Sequence, residues 1–387
     1  MKIVQIHNEY IYKGGEDFVV HEENKLLQKN KHNIYQLLRK NNEEILNLTQ
    51  KIKTGLNLIY SKKSKNIILD NLQKINPDIV HIHNTFPLWT FSIIDACYEM
   101  KIPIVMTLHN FRLICANGIF YRANKVCEIC IKSSPYNSLK YGCYKQSRIK
   151  SFPVSLLIDK YKKGLSLINK INTFIVLTEF QKKKFLEAEY PENKIKVKPN
   201  FITNIYKNYK SFNKQGFIYT SRLSEEKGLI DLIQAHQRLN FDLTVCGDGP
   251  LKYQLIKNQK IKYLGQLNKN ELYSNLAKSK YLIFPSKCYE TFGNSIIEAF
   301  CLETIVIAPK LGSISSIIQH EKNGILYEPN DIEDLINKIK WVLLNENKCE
   351  EIKRNAKKEF EEKYSEDVNY KMLIKIYEEA IEENQNN

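Results

Sequence analysis

No stretch of this sequence carries 18 consecutive apolar residues, so it offers no membrane-spanning helix. The first residues, Met1-Lys-Ile-Val-Gln-Ile-His7, lack the apolar centre and small-residue cleavage site of a secretory signal and read as a short strand. There is no short-period repeat, no low-complexity tract and no G-x-G-x-x-G dinucleotide fingerprint. Basic residues are not interleaved with aromatics in the manner of a nucleic-acid-binding segment. These absences lead to the expectation of a folded cytoplasmic protein. In that compartment the nine cysteines stand as reduced thiols or metal ligands, not disulfides.

At 387 residues the chain exceeds one ordinary core, and two domains are expected. Acidic residues are scarce in one half only. Residues 1–200 hold 32 Lys+Arg against 17 Asp+Glu, whereas residues 201–387 hold 26 of each. The whole net charge of +15 therefore lies in the first half. A Lys-rich genome explains abundant lysine but not this asymmetry, which points to an anionic partner for one domain.

Strands and helices alternate along most of the chain. Apolar runs at 2–7, 76–84, 102–110 and 171–178 read as buried strands, with helices at 18–30, 92–100 and 179–189. A polar, patternless stretch at 203–215 reads as a linker. A second series follows, with strands at 216–220, 241–246, 261–264, 281–284, 304–308 and 323–327 and a helix at 229–239 among those between them. Helices at 331–344, 349–363 and 366–384 close the chain. Such alternation implies parallel sheets covered on both faces, with ligands beyond the carboxyl ends of the strands. His7, His83, His109 and Thr178 fall at such ends.

Residues 111–150 interrupt the alternation. They carry Cys115, Cys127, Cys130 and Cys143 in the pattern C-x11-C-x2-C-x12-C. One C-x2-C knuckle with two outlying cysteines is a candidate tetrahedral thiolate site for a structural zinc. The alternative is four reduced, unliganded thiols. The case for metal is that a loop-rich insertion gains a staple from it.

Three loops carry candidate binding chemistry. Gly14-Gly15-Glu16-Asp17 lies between a strand and a helix, where backbone amides meet anions. Arg222 and Lys227 sit five residues apart before a helix, and together a forked and a point cation suit a diphosphate. Phe284 to Phe300 forms a strand end, a Pro-Ser turn, a loop and a helix. It bears Glu290 and Glu298, with Phe292, Gly293 and Asn294 at the helix start. Eight helical steps span ~12 Å, beyond the ~5–9.5 Å between the two carboxyls of a glycosidase. The pair therefore reads as two clamps on one long ligand.

Taken together, Gly14-Gly15-Glu16-Asp17, Val80-His-Ile-His-Asn84, Thr107-Leu-His-Asn110, Ser221-Arg-Leu-Ser-Glu-Glu-Lys-Gly228, Gly247-Asp-Gly-Pro250, Phe284-Pro-Ser286 and the Glu290/Glu298 pair occur in the order of a known family. The chain resembles a family 4 retaining glycosyltransferase of the GT-B fold, an α/β architecture of two Rossmann-like doubly wound domains facing a cleft. The four-cysteine insertion with Gly142-Cys-Tyr144 resembles a bacterial subgroup that assembles surface polysaccharides. The resemblance implies an acceptor-binding domain over 1–200, joined by the C-terminal helix 366–384, and a nucleotide-sugar donor domain over 201–365. The donor would be a UDP- or GDP-sugar. The acceptor would be a saccharide or a polyprenyl-diphosphate-linked saccharide of capsule, O-antigen or exopolysaccharide assembly, met at the inner membrane surface.

The same resemblance assigns roles residue by residue. Arg222 and Lys227 would hold the diphosphate, Glu298 the ribose, and Glu290 the donor sugar with the amides of Phe292, Gly293 and Asn294. Gly14 and Gly15 would admit the diphosphate or acceptor, and His109 would sit by the transferred sugar. No cofactor is implied for catalysis. The basic first half would meet anionic membrane, with Lys160 to Lys163 and Lys182 to Lys184 as contacts. Two other readings remain open at this point: a phosphorylase or sugar-nucleotide epimerase on the same fold, and a zinc-containing nucleic-acid-binding protein.

Overall fold

Short runs of four apolar residues, each bounded by polar or glycine turns, become strands that are buried along their whole length. The computed structural model describes residues 1–10, 14–40, 60–163, 168–203, 205–209, 213–256 and 260–386. The chain divides into two compact units: Met1–Phe120 with Glu128–Pro199 and Asn369–Asn387, and Tyr121–Cys127 with Asn200–Val368.

The first unit holds β1 (Lys2–Glu9), β2 (Asn33–Lys40), β3 (Ile79–Ile82) and β4 (Ile104–Thr107). The hairpin β5 (Tyr121–Arg122) and β6 (Lys125–Val126) belongs to the second unit, and β7 (Thr173–Val176) and β8 (Ile195–Val197) return to the first. Its sheet runs β2-β1-β3-β4-β7-β8, and every pairing is parallel. Ile79–Ile82, Ile104–Thr107 and Thr173–Val176 are buried at every position, as a sheet covered on both faces requires. Leu373, Ile376, Tyr377 and Ala380 of the helix Glu366–Gln385 pack against Ile3, Ile79, Val105 and Ile175, so the last helix covers this sheet.

The second unit holds β9 (Phe217–Thr220), β10 (Leu243–Cys246), β11 (Lys262–Gly265), β12 (Tyr281–Ile283), β13 (Ile305–Pro309) and β14 (Ile325–Tyr327). Their order, β11-β10-β9-β12-β13-β14, is that of a doubly wound dinucleotide-type sheet. The order reverses between β9 and β12, and the loops after these two strands are the ones that carry Arg222 to Lys227 and Ser286 to Asn294.

The structure corrects several expectations. The first helix begins at Gly15, three residues earlier than Phe18, because Gly14 and the Asp17 carboxylate form its N-terminal cap. The helix Glu346–Lys363 likewise starts three residues before 349. Residues 111–150 do not form one insertion of the first unit, because Tyr121–Cys127 belongs to the second. A strand at Asn33–Lys40 and helices at Lys62–Ile75 and Arg148–Lys163 add to the pattern read from sequence.

Candidate functional site

The loop after β9 is held by glycine contacts. Gly228 has φ +70°, and a Cβ placed there would meet the Pro285 carbonyl oxygen at 1.8 Å. Only glycine lets the Arg222–Lys227 loop lie against the Pro285 backbone. Gly249 does the same for Leu223, whose carbonyl oxygen would lie 2.5 Å from an added Cβ. The Gly247-Asp-Gly-Pro250 turn therefore buttresses the cationic loop from behind.

These contacts bring the expected charges together. Lys227 Nζ donates to Glu290 Oε1 at 2.5 Å, and the Ser286 hydroxyl donates to the same oxygen at 2.7 Å. Burial opposes the Lys227 charge, but the Glu290 carboxylate outweighs it and holds the ammonium above its ordinary range. Arg222 is exposed on the same loop. Lys287 anchors the facing side, its Nζ 2.7 Å from Asp231 and its N–H donating to the Glu226 carbonyl.

The helix Asn294–Cys301 starts at Gly293, which has φ +100°. The first amides of such a helix have no partner within it. The Asn294 side chain accepts from Asn200 Nδ2 at 3.0 Å, and Phe292 is buried against Tyr364, so Phe292 offers backbone alone. Glu298, one turn further in, is 2% exposed and paired with Lys269. Arg222, Lys227, Glu290 and Glu298 thus lie in one unit, on or just after the loops where the strand order reverses. Small charged ligands of open α/β sheets bind at such a place.

The first unit gathers its own polar cluster at the ends of β1, β3 and β4. A pocket is lined by His83, Asn84, Phe86, His109, Asn110 and Arg112, among others. His109 Nε2 lies 3.0 Å from His83 Nδ1, with the rings stacked 5.3 Å apart. His83 Nε2 is 3.3 Å from Glu23, and His81 Nδ1 is 3.1 Å from the same oxygen. Lys198 Nζ lies 3.5 Å from the other oxygen. Burial works against the Glu23 charge, but the two imidazoles and Lys198 hold its carboxyl well below the usual range. Burial drives His83 down to about 3 and His109 well below its usual value, so both rings are neutral near pH 7. Across the 3.0 Å contact between His83 Nδ1 and His109 Nε2 one ring donates and the other accepts, so the two tautomers are set together.

Beside this cluster, the Gly14 N–H donates to Asp17 at 2.8 Å, and the other Asp17 oxygen lies 2.8 Å from His7 Nε2. Gly14 has φ −107°, and no atom among the described residues lies within 4 Å of an added Cβ. Its role in the fold is a cap. Gly15 is the first residue of the helix. Glu16 is largely covered beside His7 and Tyr10, and desolvation raises its carboxyl to about 7.

The four insertion cysteines are not gathered. Among the described residues no three of their thiols lie within 4.8 Å of one another, and the one group that meets that spacing is Glu23, His81 and His83. The Cys115 thiol donates to Asn117 at 3.0 Å, and burial pushes it up to about 11. Cys127 lies just after β6, whereas Cys130 sits on the short helix Ile129–Lys132. This arrangement does not fit a closed tetrathiolate zinc site. Glu23, His81 and His83 are not a cation site either: Lys198 already counters the carboxylate, and both His81 nitrogens meet hydroxyls, Tyr377 at 2.7 Å and Thr107 at 2.8 Å.

Two family models match the chain in tandem. Residues 202–359 match "Glycosyl transferases group 1", and residues 52–203 match "Glycosyltransferase Family 4". The chain belongs to the group 1/family 4 glycosyltransferases. An uncharacterized glycosyltransferase of Methanocaldococcus jannaschii is 26% identical over 79% of this chain and 76% of its own. A poly(ribitol-phosphate) alpha-N-acetylglucosaminyltransferase of Staphylococcus aureus is 28% identical over 59% of this chain and 48% of its own. Among solved structures, Anabaena Alr3699/HepE in complex with UDP covers 97% of this chain and 99% of its own, at 16% identity and a TM-score of 0.66. The fold is that of a GT-B glycosyltransferase, two parallel-sheet Rossmann-like domains.

Several polar residues of this glycosyltransferase went unread as site residues in the sequence. Glu23 had a signal: it is a carboxylate on the face of Val19, Val20, Leu26 and Leu27, where an apolar residue belongs. Ser286 lay in the Phe284-Pro-Ser286 motif without a role, and Lys269 and Arg112 had no signal, because nothing local distinguishes them from surface residues.

Proposed function

We propose that this glycosyltransferase transfers a sugar, with retention of anomeric configuration, from a UDP- or GDP-sugar to a saccharide or polyprenyl-diphosphate-linked acceptor in bacterial surface-polysaccharide assembly. One observation carries the reading. Arg222, Lys227, Glu290 and Glu298 lie on or just after the loops at the reversal point of the second sheet, where Lys227 pairs with Glu290. Lys227 and Arg222 offer the cations that a diphosphate leaving group needs. Glu290 and the helix-start amides of Phe292, Gly293 and Asn294 suit the donor sugar, and Glu298 suits the ribose hydroxyls. In the first unit, Gly14 and Gly15 leave room for an anionic ligand, and His109 is a polar contact for the sugar that moves. The solved HepE complex with UDP, and relatives named for poly(ribitol-phosphate) and O-antigen chain transfer, support the donor and acceptor classes. Peripheral contact with an anionic membrane is part of this reading. No helix among the described residues is long and apolar enough to cross a membrane.

The test is a thermal-shift screen with nucleoside diphosphates and nucleotide sugars, followed by transfer assays. A ligand that binds the native state alone raises apparent stability. The reading expects one nucleotide base to stabilise the protein and the matching sugar to be transferred with the anomer retained. An inverted product, or transfer unaffected by Arg222→Ala, Lys227→Ala and Glu298→Ala, would refute it.

A further inference from the structure

We propose that the segment 129–158 is a docking surface that seats the first unit on an anionic lipid bilayer. Between Glu128 and Asp159 there are five Lys and Arg and not one carboxylate. The helix Arg148–Lys163 has two apolar faces. Ser151, Val154, Ser155, Leu157 and Ile158 are buried, with the Ser155 hydroxyl 2.6 Å from that of Ser138 and Val154 packed on Ala116. On the outer side Ile149 is 86% exposed and Phe152 49% exposed, and Tyr141 just before them is 42% exposed.

Around these apolar tips stand Lys140, Lys145, Arg148 and Lys150, all exposed, and none pairs with a carboxylate among the described residues. Lys132, at the start of the segment, reaches Glu128 at 3.5 Å. Of the lysines expected to meet membrane, Lys160 and Lys183 are exposed, whereas Lys182 and Lys184 are paired. Lys184 is buried between Glu128 at 2.7 Å and Glu187 at 2.8 Å, and Lys182 lies 3.2 Å from Glu192. Their charge is already balanced within the protein, and the side chains at 161–163 lie outside the described residues.

An Ile this exposed is a projection, not the wall of a groove. Flanked by Arg148 and Lys150, it suits a bilayer surface, where apolar tips enter the acyl boundary and cations meet headgroup phosphates. Uncompensated positive charge selects an anionic surface over a neutral one. The inference extends the membrane contact of the reading above, but vesicle binding does not depend on transfer.

The experiment is co-sedimentation of the full chain with phosphatidylcholine vesicles and with vesicles holding about one quarter phosphatidylglycerol, at low and high salt. Wild type is expected to bind the anionic vesicles at least about tenfold better, and salt should weaken that binding. The double variant Ile149→Ser/Phe152→Ser and the triple variant Lys145→Ser/Arg148→Ser/Lys150→Ser should each lose about tenfold, with an unchanged melting temperature. Equal binding to both vesicles overturns the proposal, as do variants that bind like wild type. A wild-type dimer in solution that the double variant abolishes also overturns it, since the patch then meets a second copy. Transfer to a water-soluble acceptor is measured alongside. Wild type that transfers sugar but does not bind anionic vesicles sinks the docking surface alone, and wild type that binds vesicles without transfer sinks the enzymatic reading alone.

Discussion

Lys227 Nζ lies 2.5 Å from Glu290 Oε1 across 63 residues of sequence, and this pair joins the two loops of the second unit into one site. It is partly exposed, with side chains at 23% and 15%, so its net worth falls between that of surface and interior ion pairs. Glu290→Gln should cost about 1–2 kcal/mol of stability. Its larger effect should be on transfer, because the carboxylate both positions Lys227 and is available to sugar hydroxyls. Lys227→Ala should lower kcat about a hundredfold if the cation supports leaving-group charge. Steady-state kinetics beside urea unfolding separate the two effects. A loss of stability without a loss of kcat would make the pair structural.

Gly228 permits one contrast within the same motif set. Replacing it with Ala forces a Cβ into the Pro285 carbonyl at φ +70°. Strain of both kinds should cost about 3 kcal/mol or more. Gly14→Ala meets no atom among the described residues and keeps an ordinary φ, so it should cost less than about 1 kcal/mol. Denaturant midpoints check both values. If Gly14→Ala leaves stability intact yet weakens ligand binding, the start of this helix contacts the ligand.

The second sheet was legible because β12, β13 and β14 are buried at every position, and such strands read as continuous apolar runs. The helix Leu229–Leu239 was expected at 229–239 and is found there. Strand β2 lacked that signal: none of its eight residues is buried, so no alternation marks it. The helix Lys62–Ile75 buries Ser64, Ile68 and Leu72 alone, too narrow a stripe to stand out. Pro153 lies inside the helix Arg148–Lys163, where proline argues against a helix interior. In the site, the cationic loop and both glutamates could be read because strand ends and helix starts select such residues. Pairings such as Lys269 with Glu298, or His83 with His109, depend on which chain segments meet. Side-chain spacing says nothing of that.

Glu23 anchors the polar cluster of the first unit and should be the more damaging site to alter for stability. Glu23→Gln leaves Lys198 buried without its counter-charge, and breaking such a pair costs about 3–5 kcal/mol. The folded pKa of Glu23 is depressed, so its contribution is present above the ordinary glutamate pKa and is lost as pH falls through the lower folded value. The variant should therefore unfold more easily at neutral pH and show a shallower acid transition. His109→Ala should behave the other way, with small stability loss and large loss of transfer. Circular dichroism against pH, with parallel rate measurements, tests both.

Glu298 is buried and held by Lys269, which is itself 36% exposed. Removing Lys269 leaves an interior carboxylate uncompensated, so Lys269→Ala should cost about 1–3 kcal/mol. If the ribose is the ligand of Glu298, Glu298→Ala should weaken nucleotide binding about tenfold or more, because hydrogen bonds to a charged acceptor are worth about 1.5–3 kcal/mol. Calorimetry with the free nucleoside diphosphate distinguishes this from a sugar contact. A Glu298→Ala protein that binds the diphosphate as wild type does, yet fails with the nucleotide sugar, would move the residue to the sugar.

Glu16 makes a prediction of opposite sign to that of Glu23. Burial raises its carboxyl to about 7, above the ordinary glutamate value, so the folded protein keeps the proton that the unfolded chain releases. Between about pH 4.5 and 7 the native state binds more protons than the unfolded one, and stability from this group falls as pH rises. At pH 8 the folded protein holds an ionised carboxylate beside Asp17 and Tyr10. Glu16→Gln removes that cost. The variant should gain about 1–3 kcal/mol relative to wild type at pH 8 and little at pH 4, with a flatter profile between. Urea unfolding at a series of pH values measures the difference. A constant difference between wild type and variant across that range would show that Glu16 does not titrate there.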